Sequence, residues 1–156
     1  MKHIPLTQGK FAIVDDEDFD IVNKYNWHIS HPRKNGYYAR AYIGDGKYVY
    51  MHRIVMKAKT GQYLDHINRN GLDNRKCNLR FATYSQNAQN RFKRVGVTSK
   101  YKGVSFYKNC KRWRAEIHLN YKKYQIGYFG NEIEAAKAYD IKAKELFGEF
   151  ARTNFL

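Results

Sequence analysis

The sequence has few cysteines, few acidic residues and no long apolar run. Its two cysteines, Cys77 and Cys110, are too few and too far apart for a disulfide framework or a zinc knuckle, so we expect no structural zinc and a reducing cytoplasm. No apolar run approaches the roughly 20 residues needed to span a bilayer, and no signal peptide opens the chain. These absences predict a cytoplasmic protein without a membrane partner.

The shortage of acids leaves the chain strongly basic. Lys and Arg number 29 against 14 Asp and Glu, which gives a formal charge of +15. Between residues 75 and 123, 14 basic residues accompany a single acid, Glu116. Such a field favours phosphate contact and predicts steep salt dependence, because each neutralised phosphate releases counterions. Nucleic acid, and duplex DNA in particular, is therefore the expected partner.

The first 50 residues predict a β-rich segment. Strand-like runs occupy residues 11–14, 27–30, 37–43 and 48–51, with a turn expected from His31 to Gly36. The acidic run after residue 14 predicts a helix from about Asp16 to Lys24, because carboxylates in a first helical turn are stabilised by the helix dipole. A second metal site is the less favoured interpretation of those acids. The stretch MHRIVMKA then predicts a short helix that carries His52 and Arg53.

The stretch from Tyr63 to Arg91 contains residues suited to an active site. An Asp-His pair precedes an Asn-rich loop, an Asn-Leu-Arg triplet and a helix-like run. This order resembles the HNH nuclease motif, in which two short antiparallel strands and one helix surround a divalent cation. An isolated Asp-His pair is usually a turn, but several positions agree with the motif together. They are Asp65, His66, Asn74, Asn78, Leu79, Arg80, Ala82, Thr83 and Asn87.

The resemblance implies a role for each motif residue. His66 corresponds to the general base, which suits an imidazole because its ordinary pKa lies near physiological pH. Asn78 corresponds to the Asn that braces the loop and orients the base, and Asp65 and Asn87 correspond to metal ligands. Oxygen ligands suit Mg²⁺ or Mn²⁺ better than Zn²⁺, so we predict one magnesium ion per active site.

Five residues around the motif are expected to contact DNA: His52, Arg53, Arg80, Asn90 and Arg91. A His-Arg pair often precedes the motif in this family, where it could contact phosphate or simply pack. On the predicted helix, which would run to about Phe92, Asn90 and Arg91 share a face with Asn87.

Residues 94–100 have the composition of a linker, and the sequence then changes character. Strand-like runs at 101–107, 112–120 and 123–129 precede a helix that Asn131 is placed to cap and Gly148 to end. This pattern resembles the Apetala/ethylene-response-factor DNA-binding domain over residues 101–155. The matching landmarks are 101–104, Trp113, 115–117, Gly127, Phe129, 134–136, 138–140, Ala143, Asn154 and Phe155. The resemblance implies a three-stranded antiparallel sheet packed on one helix.

One face of that sheet is expected to read the major groove, which admits a β-ribbon. Along the second strand, alternate residues should point outward while Trp113, Ala115 and Ile117 face the helix. The predicted DNA contacts of this module are Lys102, Ser105, Tyr107, Arg112, Arg114, Glu116, His118, Lys123 and Gln125. Several depart from the family's arginines, and Gln125 stands where a Trp is common, which predicts a different target. A solvated strand face is the alternative.

The sequence thus predicts an α+β protein with a β-rich segment at 1–50, a ββα-metal HNH core at 51–93, a linker at 94–100 and a DNA-binding module at 101–156. The expected function is site-specific, metal-dependent DNA cleavage. The closest resemblance is to homing endonucleases of phages and introns, several of which nick one strand. One active site per chain favours a monomer or weak dimer, in a bacterial or phage-infected cell. The alternatives are a DNA-binding transcriptional regulator with an inactive core and a structural or RNA-binding protein.

Overall fold

A computed structural model describes residues 1–30, 36–90, 98–119 and 122–155. The chain divides into two compact units, Met1–Tyr84 and Ser85–Leu156. The class is mixed α and β, with several small antiparallel sheets. Across the described ranges, no helix combines the length and the apolar character that crossing a membrane requires.

The described residues of the first unit form three small antiparallel sheets and two short helices. Its sheets are formed by β1 (Lys2–Pro5) with β2 (Phe11–Val14), by β3 (Trp27–Ile29), β4 (Ala39–Tyr42) and β5 (Tyr48–Tyr50), and by β6 (Tyr63–His66) with β7 (Leu79–Ala82). Its helices are α1 (Phe19–Val22) and α2 (Met51–Val55). The strands predicted before residue 51 and the helix after it are confirmed with slightly shorter bounds. The turn expected from His31 to Gly36 lies largely outside the described residues.

The helix predicted from Asp16 to Lys24 is wrong in extent. A single 3₁₀ turn, Asp16–Asp18, leads into α1, which ends at Val22. The indole N–H of Trp27 donates to the carbonyl of Val22 at 2.8 Å, so this carbonyl is satisfied where the helix stops. Asp18 is buried and forms an ion pair with Lys76 at 3.0 Å. Tertiary contacts therefore replace the further helical turns.

One apolar core joins the β-rich segment to the ribbon of β6 and β7. Val14, Val22, Trp27, Met51 and Leu79 are all buried in it. Strand β2 also bonds directly to the loop before β7, because the N–H of Ile13 donates to the carbonyl of Leu72 at 2.8 Å. The predicted segment 1–50 and the part of the predicted segment 51–93 that lies in the first unit, residues 51–84, therefore share one hydrophobic core.

The second unit begins within α3 (Tyr84–Gln89) and contains a sheet packed on a long helix. Its strands are β8 (Val104–Tyr107), β9 (Arg112–Leu119) and β10 (Lys122–Phe129), in the order β10-β9-β8, and α4 spans Glu132–Phe147. Asn131 caps α4 by accepting from the N–H of Glu134 at 2.8 Å, as predicted. Gly148 ends the helix with a positive φ of 51°. The predicted three-stranded antiparallel sheet on one helix is confirmed.

Candidate active site and nucleic-acid interface

The candidate active site is built on the two-stranded ribbon of the first unit. Strands β6 and β7 run antiparallel, with Asp65 opposite Arg80 and His66 opposite Leu79. Because side chains alternate along a strand, Asp65 and His66 leave β6 on opposite faces. The predicted base and the predicted metal ligand are therefore adjacent in sequence but have separate surroundings.

His66 is buried among other rings. Only 6% of it is exposed, and its ring centroid lies 5.1 Å from that of His52 and 5.7 Å from that of Tyr38. Its Nε2 is 3.4 Å from Oδ1 of Asn74. Burial lowers the pKa of His66 below its usual value, although the Asn74 bond and nearby carboxylates oppose the shift. At neutral pH the imidazole is uncharged, which is the form that accepts a proton.

The loop that follows His66 is braced by Asn78. The Oδ1 atom of Asn78 accepts from the N–H of Asn68 at 2.9 Å, and its Nδ2 donates to the carbonyl of Asp73 at 2.8 Å. The backbone carbonyl of Asn78 also accepts from the N–H of Ile67 at 2.9 Å. Asn78 therefore bonds to both sides of the loop. Its part in catalysis stays a prediction.

Asn74, which the sequence offered only as a landmark of the motif, touches the predicted base. Its side chain is fully buried, and its backbone N–H donates to the carbonyl of Ile13 in β2 at 2.8 Å. Its Nδ2 donates to the carbonyl of Leu72 at 3.2 Å, so Oδ1 is the atom turned toward His66. The contact depends on β2, which is distant in sequence, and no local pattern reveals it.

A cleft of about 740 Å³ opens beside His66. Its lining residues are Ser30, Tyr38, Tyr50, His52, Arg53, 60–64 and His66. None of these is acidic, and the volume falls in the range of about 300–1,000 Å³ typical of ligand sites. Gly71 allows the motif loop to approach this region, because a Cβ there would lie 2.4 Å from the carbonyl oxygen of Tyr37 and 2.7 Å from the Tyr38 ring.

The predicted DNA contacts His52 and Arg53 both lie on α2, at the wall of this cleft. The Arg53 guanidinium donates to the carbonyls of Lys59 at 2.7 Å, Gln62 at 2.8 Å and Ala58 at 3.4 Å. Arg53 thus holds the loop that forms one side of the cleft. Its contact with phosphate stays a prediction, as does that of His52.

The remaining motif residues lie on or after α3. Asn87 is within α3, Asn90 directly follows it and is buried, and Arg91 lies outside the described residues. The helix ends at Gln89, short of the predicted Phe92, and its last carbonyl accepts from Nζ of Lys102. Lys102, a predicted DNA contact, therefore also caps α3 within the second unit. The metal-binding role of Asn87 stays a prediction.

The predicted contacts on β8, β9 and β10 share the outer face of the sheet. Ala115 and Ile117 are buried against α4 and Trp113 packs partly on the same core, so the alternation predicted for β9 is confirmed. The residues on the outer face are Ser105, Tyr107, Arg112, Arg114, Glu116, His118, Lys123 and Gln125. Their contact with DNA stays a prediction.

On this face the Glu116 carboxylate forms ion pairs with two basic residues, Arg114 and Lys123. Oε2 of Glu116 lies 2.9 Å from Nε of Arg114 and 2.7 Å from Nζ of Lys123. Arg114 also lies over the Tyr107 ring, 5.3 Å from its centroid. The Arg114 guanidinium thus lies against both a carboxylate and an aromatic ring of the same face.

Tyr128 also belongs to this face, and sequence reasoning missed it. A register shift between Gln125 and Gly127 places Tyr128 opposite Arg114, and its ring lies 5.5 Å from that of Tyr107. Counting alternate residues from Lys123 would turn Tyr128 inward. Gly127 was the available signal, because a glycine inside a strand often marks a bulge.

Comparison with known proteins finds one relative over nearly the whole chain and others over the second unit alone. The chain is 34% identical over 150 residues to an uncharacterized HNH endonuclease of Acanthamoeba polyphaga mimivirus, a match covering 94% of the chain and 76% of the relative. The chain belongs to the HNH endonuclease family.

The second unit has relatives of its own. Residues 99–149 match the AP2 domain model. A segment of 60 residues is 47% identical to APETALA2-like protein 2 of rice. A segment of 58 residues is 43% identical to the AP2/ERF and B3 domain-containing transcription repressor TEM1 of Arabidopsis thaliana. Each match covers 37% of the chain but only 14% and 16% of the plant proteins. No solved structure matches the chain significantly. The AP2 match supports DNA binding.

Asp65 has the oxygen-donor chemistry that the divalent cation implied by the resemblance requires, and its metal-binding role stays a prediction. Asp65 offers a carboxylate, which is a hard oxygen donor suited to Mg²⁺. Its Oδ2 lies 2.8 Å from Nη2 of Arg80, so a metal ion at this oxygen would have to share or displace that guanidinium. Among the described residues, no group of three or more His, Cys, Asp and Glu side chains could hold a metal. A cation at Asp65 would therefore rely on amide, water or phosphate oxygens for its other ligands.

Proposed function

We propose that the protein is a site-specific, Mg²⁺-dependent HNH endonuclease that nicks duplex DNA. The observation that supports this most directly is the setting of His66. It is an uncharged imidazole on the wall of a cleft, in a chain whose similarity to a named HNH endonuclease covers nearly its whole length. The braced loop beneath it gives the imidazole a fixed place.

His66 would act as the general base. It takes a proton from a water molecule, the water oxygen bonds to phosphorus, and the bond from phosphorus to the 3′ oxygen breaks. A positioned base of this kind typically contributes about 10²–10⁴-fold to the rate. Asn74 contacts Nε2 of the imidazole and Asn78 bonds to both sides of its loop, so their part is to hold the base in place.

Magnesium is the proposed cofactor, and Asp65 is the proposed carboxylate ligand. When bound, the ion would neutralise charge on the phosphate and on the departing oxygen. Asn87 is the second ligand that the family resemblance implies.

The AP2 module would supply affinity and part of the specificity. Its outer sheet face carries the cations and polar groups that can reach base edges and phosphates in a major groove. Homing, and an origin in a phage or another mobile element, belong to the same proposal and rest on the family resemblance.

One observation favours a second candidate, a DNA-binding regulator with an inactive nuclease core. The carboxylate of Asp65 is already paired with Arg80, as in a purely structural ion pair. A regulator would bind DNA through the AP2 module and cleave nothing.

Incubation of the purified chain with supercoiled plasmid carrying its own flanking genomic DNA separates the two candidates. The nuclease predicts nicked circles with Mg²⁺ and none with EDTA. His66→Ala should abolish nicking while gel-shift binding persists, and His28→Ala is the matched control, since His28 is exposed on β3 of the same unit. Binding without nicking in the unaltered chain would establish the regulator instead.

A further inference from the structure

The rings of His52 and His66 are in direct contact, although they come from α2 and β6. Their centroids are 5.1 Å apart and their planes are inclined at 76°, which is an edge-to-face arrangement. Tyr38 contacts both, with its centroid 5.9 Å from that of His52 and 5.7 Å from that of His66. His52, His66 and Tyr38 therefore form a three-ring cluster on the wall of the cleft.

Packing is important to the orientation of His66 because its hydrogen bond to Asn74 is long. The distance of 3.4 Å exceeds the usual range of about 2.7–3.2 Å for such bonds, and long bonds are weak. A ring wedged against two others cannot turn about its Cβ–Cγ bond without displacing them. The neighbouring rings thus add a restraint that the hydrogen bond does not supply alone.

His52 is itself held firmly. Its ring lies 5.6 Å from that of Tyr50, and the next residue in α2, Arg53, is bonded to three carbonyls of the loop that follows. Burial and, to a smaller extent, the neighbouring His66 and Arg53 side chains lower the pKa of His52 to about 3. The ring is uncharged at neutral pH, so it can lie against a second imidazole without repulsion and offers a phosphate no positive charge.

Among the described residues, the Nδ1 atom of His52 makes no hydrogen bond that would hold the ring. Within the described part of the chain, Nδ1 of His52 is buried and has no hydrogen-bond partner. This nitrogen therefore adds no hydrogen bond to the edge-to-face contact between the two rings.

We propose that His52 is a positioning residue whose ring fixes the orientation of the His66 imidazole for proton transfer. This inference rests on the proposed function of His66 as the base. It differs from a phosphate contact, which would change DNA affinity, and from general packing, which would change stability alone.

Three variants test the proposal in the full-length chain, on the plasmid with its flanking DNA and with Mg²⁺. His52→Ala removes the ring and should lower kcat at least tenfold, with KM and gel-shift affinity changed less than twofold. His52→Phe restores a ring and should return kcat to within threefold of the unaltered chain. His28→Ala, exposed in the same unit, should change neither parameter.

The same variants should be followed by ¹³C relaxation of the His66 ring, which requires no cleavage. The ring should become more mobile in His52→Ala and stay rigid in His52→Phe. An unchanged kcat in His52→Ala, or equal losses in the Ala and Phe variants, would overturn the ring-contact proposal. If the unaltered chain nicks nothing, the proposed function fails, whereas unaltered His66 mobility in His52→Ala would refute the positioning contact independently.

Discussion

Asp65 and Arg80 form an ion pair across the β6–β7 ribbon. Nη2 and Nε of Arg80 lie 2.8 Å and 3.1 Å from Oδ2 of Asp65, and the two side chains are only 12% and 7% exposed. A residue predicted to contact DNA is thus a partner of a residue predicted to bind metal. Removing one member of a buried pair leaves an uncompensated charge. Removal of Arg80 therefore allows a test of whether the Asp65 carboxylate binds a metal ion.

Arg80→Met should destabilise the chain in a way that magnesium repairs. In EDTA we expect the free energy of unfolding to fall by about 3–5 kcal/mol, because a buried carboxylate loses its partner. If Asp65 binds Mg²⁺, millimolar Mg²⁺ should restore part of this loss by binding the folded state. Urea unfolding with EDTA and with Mg²⁺ measures both effects. Arg112→Met, at an exposed position, is the control. Equal stability of Arg80→Met in the two buffers would argue against a cation at Asp65.

Asn78→Ala should loosen the loop that carries the base. The substitution leaves the N–H of Asn68 and the carbonyl of Asp73 without their partner, and each such loss costs about 1–3 kcal/mol. We expect lower stability by urea unfolding, and a lower kcat for nicking at temperatures where the variant is still folded. Asn26→Ala, at an exposed position, should change neither quantity. Full nicking activity in folded Asn78→Ala would show that Asn78 is not needed to hold the base.

Lys123→Gln should reduce the salt dependence of DNA binding. Lys123 lies on the outer sheet face, whereas Lys144 is exposed on α4. Lys123→Gln and Lys144→Gln each remove one positive charge, so they differ only in where the charge is removed. If Lys123 neutralises one phosphate, the slope of log K against log salt should become shallower by about 1. Lys144→Gln should leave the slope unchanged. Identical slopes for the two variants would mean that the outer face does not meet the DNA backbone.

The buried histidines should make the first unit less stable as the pH falls from 6.5 to 5. The pKa of His52 is about 3 in the folded chain and near 6.5 when unfolded, so in this window only the unfolded state takes up the proton. The unfolded state then binds more protons, and stability declines by up to about 1.4 kcal/mol per pH unit for each such group. The lowered pKa of His66 acts in the same direction.

The measurement uses Trp27 fluorescence in a Trp113→Phe chain, so that the signal comes from the first unit. His52→Phe should flatten the pH dependence, because one histidine no longer titrates on unfolding. The groups facing His52 that influence it are His66 and Arg53. Parallel stability curves for the two chains would show that His52 takes up protons equally in the folded and unfolded states, so that folding does not lower its pKa.

Local patterns predicted the second unit well. Alternation along β9 correctly separated Trp113, Ala115 and Ile117 from the outer face, and Asn131 caps α4 because its side chain can reach an N–H within its own turn. The buried face of α4 also depends on residues beyond the helix. It includes Ala136 and Asp140, and Asp140 is satisfied by the backbone of Asn154 and Phe155, which lie beyond the helix.

The setting of the candidate active site could not be predicted in the same way. The Asp-His pair and the bracing Asn78 are visible because motif residues keep a fixed order along the chain. The contact of His66 with His52 and the bond from Asn74 to Ile13 depend instead on how α2 and β2 pack. Arg53 has the composition of a phosphate contact, yet its guanidinium is bonded to loop carbonyls.

The sequence by itself determined which chemical groups are present, their order along the chain and the period of each strand and helix, because these follow from local geometry and residue type. The tertiary structure decided which groups meet. It paired Asp65 with Arg80, placed one imidazole against another and turned Tyr128 outward at a bulge. Those outcomes are energies of burial and pairing between segments far apart in the chain, and no window of neighbouring residues contains them.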